Sequence, residues 1–199
     1  MRCAEFLGLQ RKRLRMRLSG NAIEERRASN ARALAAFGTK VTERGESIRT
    51  IREGTGVTIY TIGYERRDGE SLMNILRDQG IKMLADVRER AMSRKPDFRA
   101  AALKAFCDDA GIEYQPWPCL GSTSEQRDEL QTSGDFQAFS RRFRAHALRT
   151  MALHLDRLAE SVKKKPTALL CYERLHEECH RSIIADLVAS RLNSSIVAL

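Results

Sequence analysis

The residues best suited to chemistry lie in one segment, which begins at Cys171 and reads Cys-Tyr-Glu-Arg-Leu-His-Glu-Glu-Cys-His-Arg-Ser. Cys171 ends a predicted strand, and the run Cys179-His180-Arg181 begins a predicted helix. A helix N-terminus offers free N–H groups and partial positive charge, which favour an anion or a thiolate. A neighbouring imidazolium or guanidinium lowers the pKa of a thiol further. The pattern is typical of a cysteine nucleophile, with His180 as general acid/base and Glu173 assisting it.

The same segment permits other interpretations. Cys171, His176, Cys179 and His180 are four potential metal ligands, but their spacing matches no established zinc pattern, and adjacent Cys and His side chains rarely reach one ion. No metal and no cofactor is therefore predicted. In a purely structural interpretation, Cys171 packs as a small apolar residue while His180 and Arg181 cap or pair within the fold. A reversible disulfide between Cys171 and Cys179 is a further alternative that depends on their geometry.

Strands and helices alternate along most of the chain and must position these residues. Apolar, β-branched and aromatic residues predict strands at 57–62, 81–87, 112–114 and 167–172, with a last one at 195–199. Apolar residues at helical spacing predict helices at 68–80, 96–111, 134–162 and 179–192. This alternation predicts an α/β fold with a mostly parallel sheet covered on both faces. In such folds ligands bind beyond the carboxyl ends of the strands.

Polar residues at the ends of the first two strands extend the candidate site. Gly63 would let the backbone approach a ligand, although this feature taken alone favours a plain tight turn. Asp86 follows a buried strand and either orients a catalytic group or forms a structural ion pair with Arg88. Arginine guanidinium groups suit anions because they offer forked donors. The candidate substrate-binding residues are Thr61, Gly63, Tyr64, Arg88, Ser93, Arg94 and Arg181.

These motifs together resemble the domain-of-unknown-function 488 family. Thr-Ile-Gly-Tyr, Ala-Asp-Val-Arg with a following Ser-Arg, Gly-Ile-Glu-Tyr leading to Pro-x-Leu-Gly, and Cys-x-Glu followed by Cys-His-Arg-Ser occur in that order from about residue 57 to the end. The resemblance implies a Rossmann-like three-layer domain in a cytoplasmic protein and supplies no reaction. When the motifs are matched residue by residue, the resemblance implies that the family's site positions correspond to Thr61, Gly63, Asp86, Arg88, Ser93, Arg94, Cys171, Glu173, Cys179, His180 and Arg181. The chain departs from the usual family pattern at Leu175, His176 and Glu178.

Composition restricts the classes of function. The chain has 199 residues, of which 42% are hydrophobic and 31% charged, as is usual for a globular protein. No apolar run approaches the roughly 18 residues that cross a bilayer, so no membrane partner is predicted. The N-terminal residues show no signal-peptide core. The five cysteines are therefore expected to be reduced thiols in the cytoplasm.

Positive charge is concentrated in the first quarter of the chain. Of the 35 Lys+Arg and 26 Asp+Glu residues, 13 and 6 lie in residues 1–56, which therefore carry 7 of the 9 net positive charges. The sequence predicts a basic extension over 1–56, flexible or partly helical, followed by an α/β domain over 57–199. The cluster Arg11–Arg17 offers a weak contact with nucleic acid.

The candidate residues favour an enzyme, a cysteine-dependent hydrolase or transferase, that acts on a small anionic substrate containing a phosphate or a nucleotide. Arg88, Arg181 and the last helix N-terminus would hold the anion, and Cys171 or Cys179 would be the nucleophile. The alternatives are a non-catalytic nucleotide or nucleic-acid binding module and a cysteine redox sensor.

Overall fold

The computed structural model describes residues 49–52 and 56–199, with side chains from residue 56 onward. The described strands form one six-stranded sheet in the order β1-β6-β2-β5-β3-β4. Their bounds are β1 (Arg49–Arg52), β2 (Thr58–Gly63), β3 (Met83–Asp86), β4 (Glu113–Pro116), β5 (Thr167–Cys171) and β6 (Ser195–Ala198). β2 to β6 pair in parallel, and β1 pairs antiparallel with β6 at the edge. The predicted α/β fold with a mostly parallel sheet is confirmed.

Helices connect the strands and cover the sheet. They are α1 (Gly69–Asp78), α2 (Ala100–Asp109), α3 (Ser124–Ser133), α4 (Phe136–Thr150), α5 (Ala152–Lys164) and α6 (His180–Leu192). Asp68 begins α1 because its carboxylate accepts a hydrogen bond from the backbone N–H of Ser71 at 2.7 Å. Within the described part of the chain, none of the helices combines the length and the apolar character that crossing a bilayer requires.

Two apolar clusters lie on opposite faces of the sheet. Side chains along a strand alternate between faces, and Leu169 of β5 belongs to one cluster while Ala168 and Leu170 belong to the other. Residues of α4, α5 and α6 complete the first cluster, and residues of α1 and α2 complete the second. The described domain therefore has three layers, and at the carboxyl edge of the sheet the chain leaves the parallel strands.

The single long helix predicted over 134–162 is wrong. The structure has α4 and α5 instead, and Met151 separates them with φ −112° and ψ 8°. Met151 is itself buried, and Ala147 and Leu155 on either side belong to the same cluster. The apolar spacing continues through the bend because both helices pack on the same core, so periodicity alone could not indicate the break.

Two further elements were not predicted. No residue of α3 is buried, so it carries no apolar stripe by which periodicity could reveal it. A capping box between Thr123 and Gln126 begins α3 and is the signal that the sequence does offer. β1 lies inside the segment predicted as a basic extension, 1–56. The remainder of that segment, apart from Gly56, lies outside the described residues.

Candidate functional site

The polar residues expected at strand ends meet at the carboxyl edge of the sheet. Gly63 at the end of β2 is paired with Cys171 at the end of β5. On the other side of β5, the backbone N–H of Val87, the residue after β3, donates to the carbonyl of Leu170 at 3.2 Å. The first turn of α6 lies against this edge, because His180 bonds to Val87 there.

Two thiols and one imidazole form the centre of the site. The Nδ1 atom of His180 lies 3.7 Å from the sulfur of Cys171 and 3.9 Å from the sulfur of Cys179. The three potential ligand atoms all lie within 4.8 Å of one another. Cys171 is 5% exposed, Cys179 1% and His180 6%. The sequence predicted these three residues as parts of one site, and the fold brings them into contact.

The ring of His180 is held from two sides. Its Nε2 atom lies 2.9 Å from the carbonyl oxygen of Val87. A carbonyl can only accept, so Nε2 carries the hydrogen, and Nδ1 of the neutral ring faces the thiols as an acceptor. Phe143 of α4 packs edge-on against the ring, with centroids 5.5 Å apart. A base oriented by a third group is the arrangement that activated nucleophiles use.

Burial and charge set the protonation of the cluster. Burial raises the pKa of the Cys179 thiol well above its ordinary value, so this group is a neutral thiol at neutral pH. Burial alone would raise the pKa of Glu173, but hydrogen bonds from Cys179 and Cys171 outweigh it and the pKa is lowered. Burial lowers the pKa of His180, whereas Cys179, the Val87 carbonyl and the Glu173 carboxylate raise it, and the net direction is upward.

Arg181 organises the loop that carries Glu173. It is 1% exposed, and its guanidinium donates to the backbone carbonyls of Glu173 and of Arg174, the latter at 3.1 Å. Gly63 lies directly beneath this loop, because a Cβ there would be 1.9 Å from the Glu173 carbonyl oxygen. The close backbone approach expected at Gly63 is therefore to this loop. The substrate-binding roles of Gly63 and Arg181 stay predictions.

Asp86 and Arg88 form a buried ion pair beside the cluster. The Nε and Nη2 atoms of Arg88 lie 2.7 and 2.5 Å from the two carboxylate oxygens of Asp86. The Nη1 atom donates to the Tyr64 hydroxyl at 3.0 Å and to the Phe98 carbonyl at 2.9 Å. The geometry is that of the structural ion pair considered as the alternative, with the guanidinium bonded within the fold.

The other predicted site residues differ in how far they are buried and in their hydrogen-bond partners. The hydroxyl of Thr61 is 2.8 Å from Nδ1 of His176, and both residues are buried. His176 is therefore engaged with Thr61 and does not belong to the cluster of thiols and His180. Ser93 is half-buried and accepts a hydrogen bond from the backbone N–H of Lys95 at 3.1 Å, while Arg94 is exposed.

Three groups that shape the site were missed from the sequence. The Val87 carbonyl orients His180 but, as a backbone atom, has no residue-type signal. Phe143 looked like one member of an apolar stripe, and only its packing places it against His180. Tyr114 donates its hydroxyl to Asp86 at 2.8 Å. Its position near the end of β4, beside β3, was the available signal, because parallel neighbouring strands end at one edge.

The family comparison agrees with these motifs. The model of the domain of unknown function DUF488 matches residues 68–188, which include Asp86, Arg88 and the whole Cys-His-Arg segment. The strand with Thr61 and Gly63 lies before the matched part. No curated protein matches the chain. Because the match covers more than half of the chain, the protein belongs to the DUF488 family.

Proposed function

We propose that the protein is a cytoplasmic cysteine-dependent enzyme, a hydrolase or transferase, with Cys171 as nucleophile and His180 as general acid/base. The observation that carries the proposal is the hydrogen bond from His180 Nε2 to Val87, because it leaves Nδ1 as an acceptor 3.7 Å from the Cys171 sulfur. The Val87 carbonyl and the Glu173 carboxylate both raise the pKa of His180, which favours the imidazolium that forms when the ring accepts a proton.

Cys171 is the better nucleophile of the two thiols. It is 5% exposed, against 1% for Cys179, so a substrate approaching from the carboxyl edge reaches it first. Its thiol has two acceptors, because the Oε2 atom of Glu173 lies 3.2 Å away on the other side. Cys179 stays protonated because burial raises its pKa. Its role in the proposal is to pack against His180.

The proposed step is a group transfer through a covalent intermediate. The proton of Cys171 moves to Nδ1 of His180, and the Glu173 carboxylate stabilises the resulting imidazolium. The sulfur forms a bond to the electrophilic carbon or phosphorus of the substrate, and the bond to the leaving group breaks. His180 returns the proton to the leaving group. Water or a second substrate then gives its proton to His180 and takes the bound group from sulfur, and His180 returns that proton to the Cys171 sulfur.

The proposed substrate is small and anionic, and the two buried arginines of the site do not hold it through free guanidinium groups. The guanidinium groups of Arg88 and Arg181 are bonded to the ion pair and to loop carbonyls. The N–H groups of Arg181 and Ser182 bond to Cys179, so the positive end of the α6 dipole and the exposed Arg94 are the features that favour an anion.

The test uses a chromogenic ester and compares two of the five cysteines of the chain, Cys171 and Cys119. Reduced, chelator-treated protein is incubated with p-nitrophenyl acetate, and acetylation of each cysteine is measured by mass spectrometry. Because Cys119 is exposed and Cys171 buried, faster acetylation of Cys171 requires activation. We expect His180→Gln to slow it by about 10²-fold or more, while Cys119→Ala leaves it unchanged. Acetylation confined to Cys119, or unaffected by His180→Gln, would overturn the proposal.

The substrate class has its own measurement. AMP, a small phosphate-containing nucleotide, is added to the same reaction at increasing concentration. If the site binds an anion, AMP slows acetylation of Cys171 and leaves that of Cys119 unchanged. If AMP changes the acetylation rate of neither cysteine, the result contradicts an anionic substrate. The assignment of the nucleophile then depends on the first experiment alone.

A further inference from the structure

We propose that Cys171, Cys179 and His180 bind Zn²⁺, and that zinc bound there blocks the nucleophile. The first support is distance. A tetrahedral zinc ion with Zn–S bonds of about 2.3 Å and Zn–N bonds of about 2.0–2.1 Å holds its S and N ligands roughly 3.6 Å apart. The two sulfur atoms lie 3.7 and 3.9 Å from Nδ1 of His180, close to this spacing, and all three ligand atoms lie within 4.8 Å of one another.

The atoms around the three ligands support the same interpretation. A metal-binding histidine usually donates its other ring N–H to a carbonyl or carboxylate, which fixes the ring. Here Nε2 of His180 bonds to the Val87 carbonyl at 2.9 Å. The backbone N–H of Arg181 donates to the Cys179 sulfur at 3.4 Å, a bond that favours a thiolate ligand.

The donor set selects the class of metal. Two sulfurs and one imidazole suit a soft or borderline ion such as Zn²⁺, whereas Mg²⁺ and Ca²⁺ require oxygen ligands. Two thiolates also balance the charge of Zn²⁺, which lowers the cost of burying the ion. The Glu173 carboxylate, 3.2 Å from the Cys171 sulfur, offers a fourth ligand.

Local backbone geometry explains why adjacent residues can share one ion here. Cys179 is the N-cap of α6 and has extended φ and ψ of −128° and 142°, whereas His180 begins the helix. The change of conformation between them brings both side chains towards Cys171. His176, the other potential ligand in the segment, is bonded to Thr61 and does not contribute.

Only the blocking effect rests on the proposed function. Zinc would occupy the sulfur lone pair of Cys171 and the Nδ1 atom of His180, the two atoms that the group-transfer step needs free. Metal binding and acetylation of Cys171 would then exclude each other. Zinc availability would regulate the enzyme through its own active site.

The direct test is spectroscopic and needs no activity. Reduced, chelator-treated full-length protein is titrated with Co²⁺, whose thiolate ligands give a charge-transfer absorption band. We expect one ion per chain and displacement by Zn²⁺. Cys171→Ser and Cys179→Ser should each weaken binding by at least about 100-fold, since loss of even an outer-shell partner costs 10–100-fold. Cys119→Ser, which alters an exposed thiol, is the matched control and should bind like the unmodified protein.

The outcomes separate the two proposals. No thiolate band with the unmodified protein, or a band that survives in both Cys171→Ser and Cys179→Ser, overturns the metal site even if those variants fold poorly. Acetylation of Cys171 that continues at full rate with one equivalent of Zn²⁺ overturns the blocking effect. A thiolate band together with failure of Cys171 to react in chelated protein supports the metal site and overturns the proposed enzyme.

Discussion

At the scale of single residues, burial decides what the charged groups of the site do. The Asp86 carboxylate is 1% exposed and needs the partner that Arg88 provides. Removing one member of such a pair leaves an uncompensated buried charge, which is far more costly than losing a surface ion pair. Arg181 similarly stabilises the loop at Glu173. Both arginines therefore position the parts of the site, whatever binds there.

His176 makes stability dependent on pH. Burial, together with the charge of Arg181, lowers its pKa to about 3. The unfolded chain binds a proton near pH 6.5 and the folded chain only near pH 3, so stability falls as pH falls through this range. We expect His176 to account for a loss of about 2 kcal/mol between pH 7 and pH 5.

The measurement is urea unfolding at pH 7 and pH 5. His176→Gln keeps a side chain that can bond to Thr61 but removes the titration, so its loss over this range should be about 2 kcal/mol smaller than that of the unmodified protein. His154→Gln, a substitution on α5, is the control and should behave like the unmodified protein. Equal pH dependence in the His176 variant would show that this group does not control acid stability.

At the scale of elements, α4 connects the apolar core to the site. Phe143 is buried, stacks on Phe139 with centroids 5.6 Å apart, and contacts the ring of His180. The bend at Met151 lets α4 and α5 pack on the same face of the sheet. A residue of the core thus restrains the general acid/base of the proposed reaction.

Phe143→Ala should both destabilise the fold and loosen His180. We expect a loss of about 3–5 kcal/mol in the free energy of unfolding, the usual cost of removing a buried phenylalanine ring. Acetylation of Cys171 should also slow, because the ring of His180 loses one of its two supports. Urea unfolding and the ester reaction measure the two effects.

The matched control is Leu148→Ala on the same helix, where the side chain is 52% exposed. It should change stability by no more than about 0.5 kcal/mol. If Phe143→Ala lowered stability but left the reaction at Cys171 unchanged, the Val87 hydrogen bond alone would suffice to orient His180.

At the scale of the whole molecule, charge and chemistry occupy different parts of the chain. Residues 1–56 carry 7 of the 9 net positive charges, and the cluster of thiols and His180 lies in a nearly neutral remainder. Long-range attraction of nucleic acid would therefore depend on the basic segment. The enzyme and the binding-module hypotheses consequently make different predictions about salt.

Changing Arg11, Lys12, Arg13, Arg15 and Arg17 to Gln in the full-length chain tests the nucleic-acid contact predicted for the basic segment. Each phosphate contact contributes about 0.9 to the slope of log K against log salt for duplex DNA. If this cluster binds DNA, we expect the slope to fall by up to about 4–5, with acetylation of Cys171 unchanged. An unaltered slope would exclude the cluster as the DNA contact.

The alternation of apolar segments was sufficient to predict the architecture and most of the strands. Short apolar runs such as Thr167–Cys171 are buried on both faces of a parallel sheet, so their pattern carries a strong local signal. The bend at Met151 escaped prediction because the apolar periodicity continues through it, and α3 escaped because it has no buried residues to create one.

For the candidate site as well, the sequence determined some features and the tertiary structure decided others. Residue types and their order determined by themselves that Cys171, Cys179 and His180 belong to one candidate site, because helix starts and parallel strand ends are local features that meet at one edge. Only the tertiary structure decided which atoms face one another, that His176 turns to Thr61, and that Arg88 and Arg181 bond within the fold. The partners of these side chains come from segments that are distant in sequence. Because the free energy of burying a polar group depends on its partners, the sequence alone could not predict them.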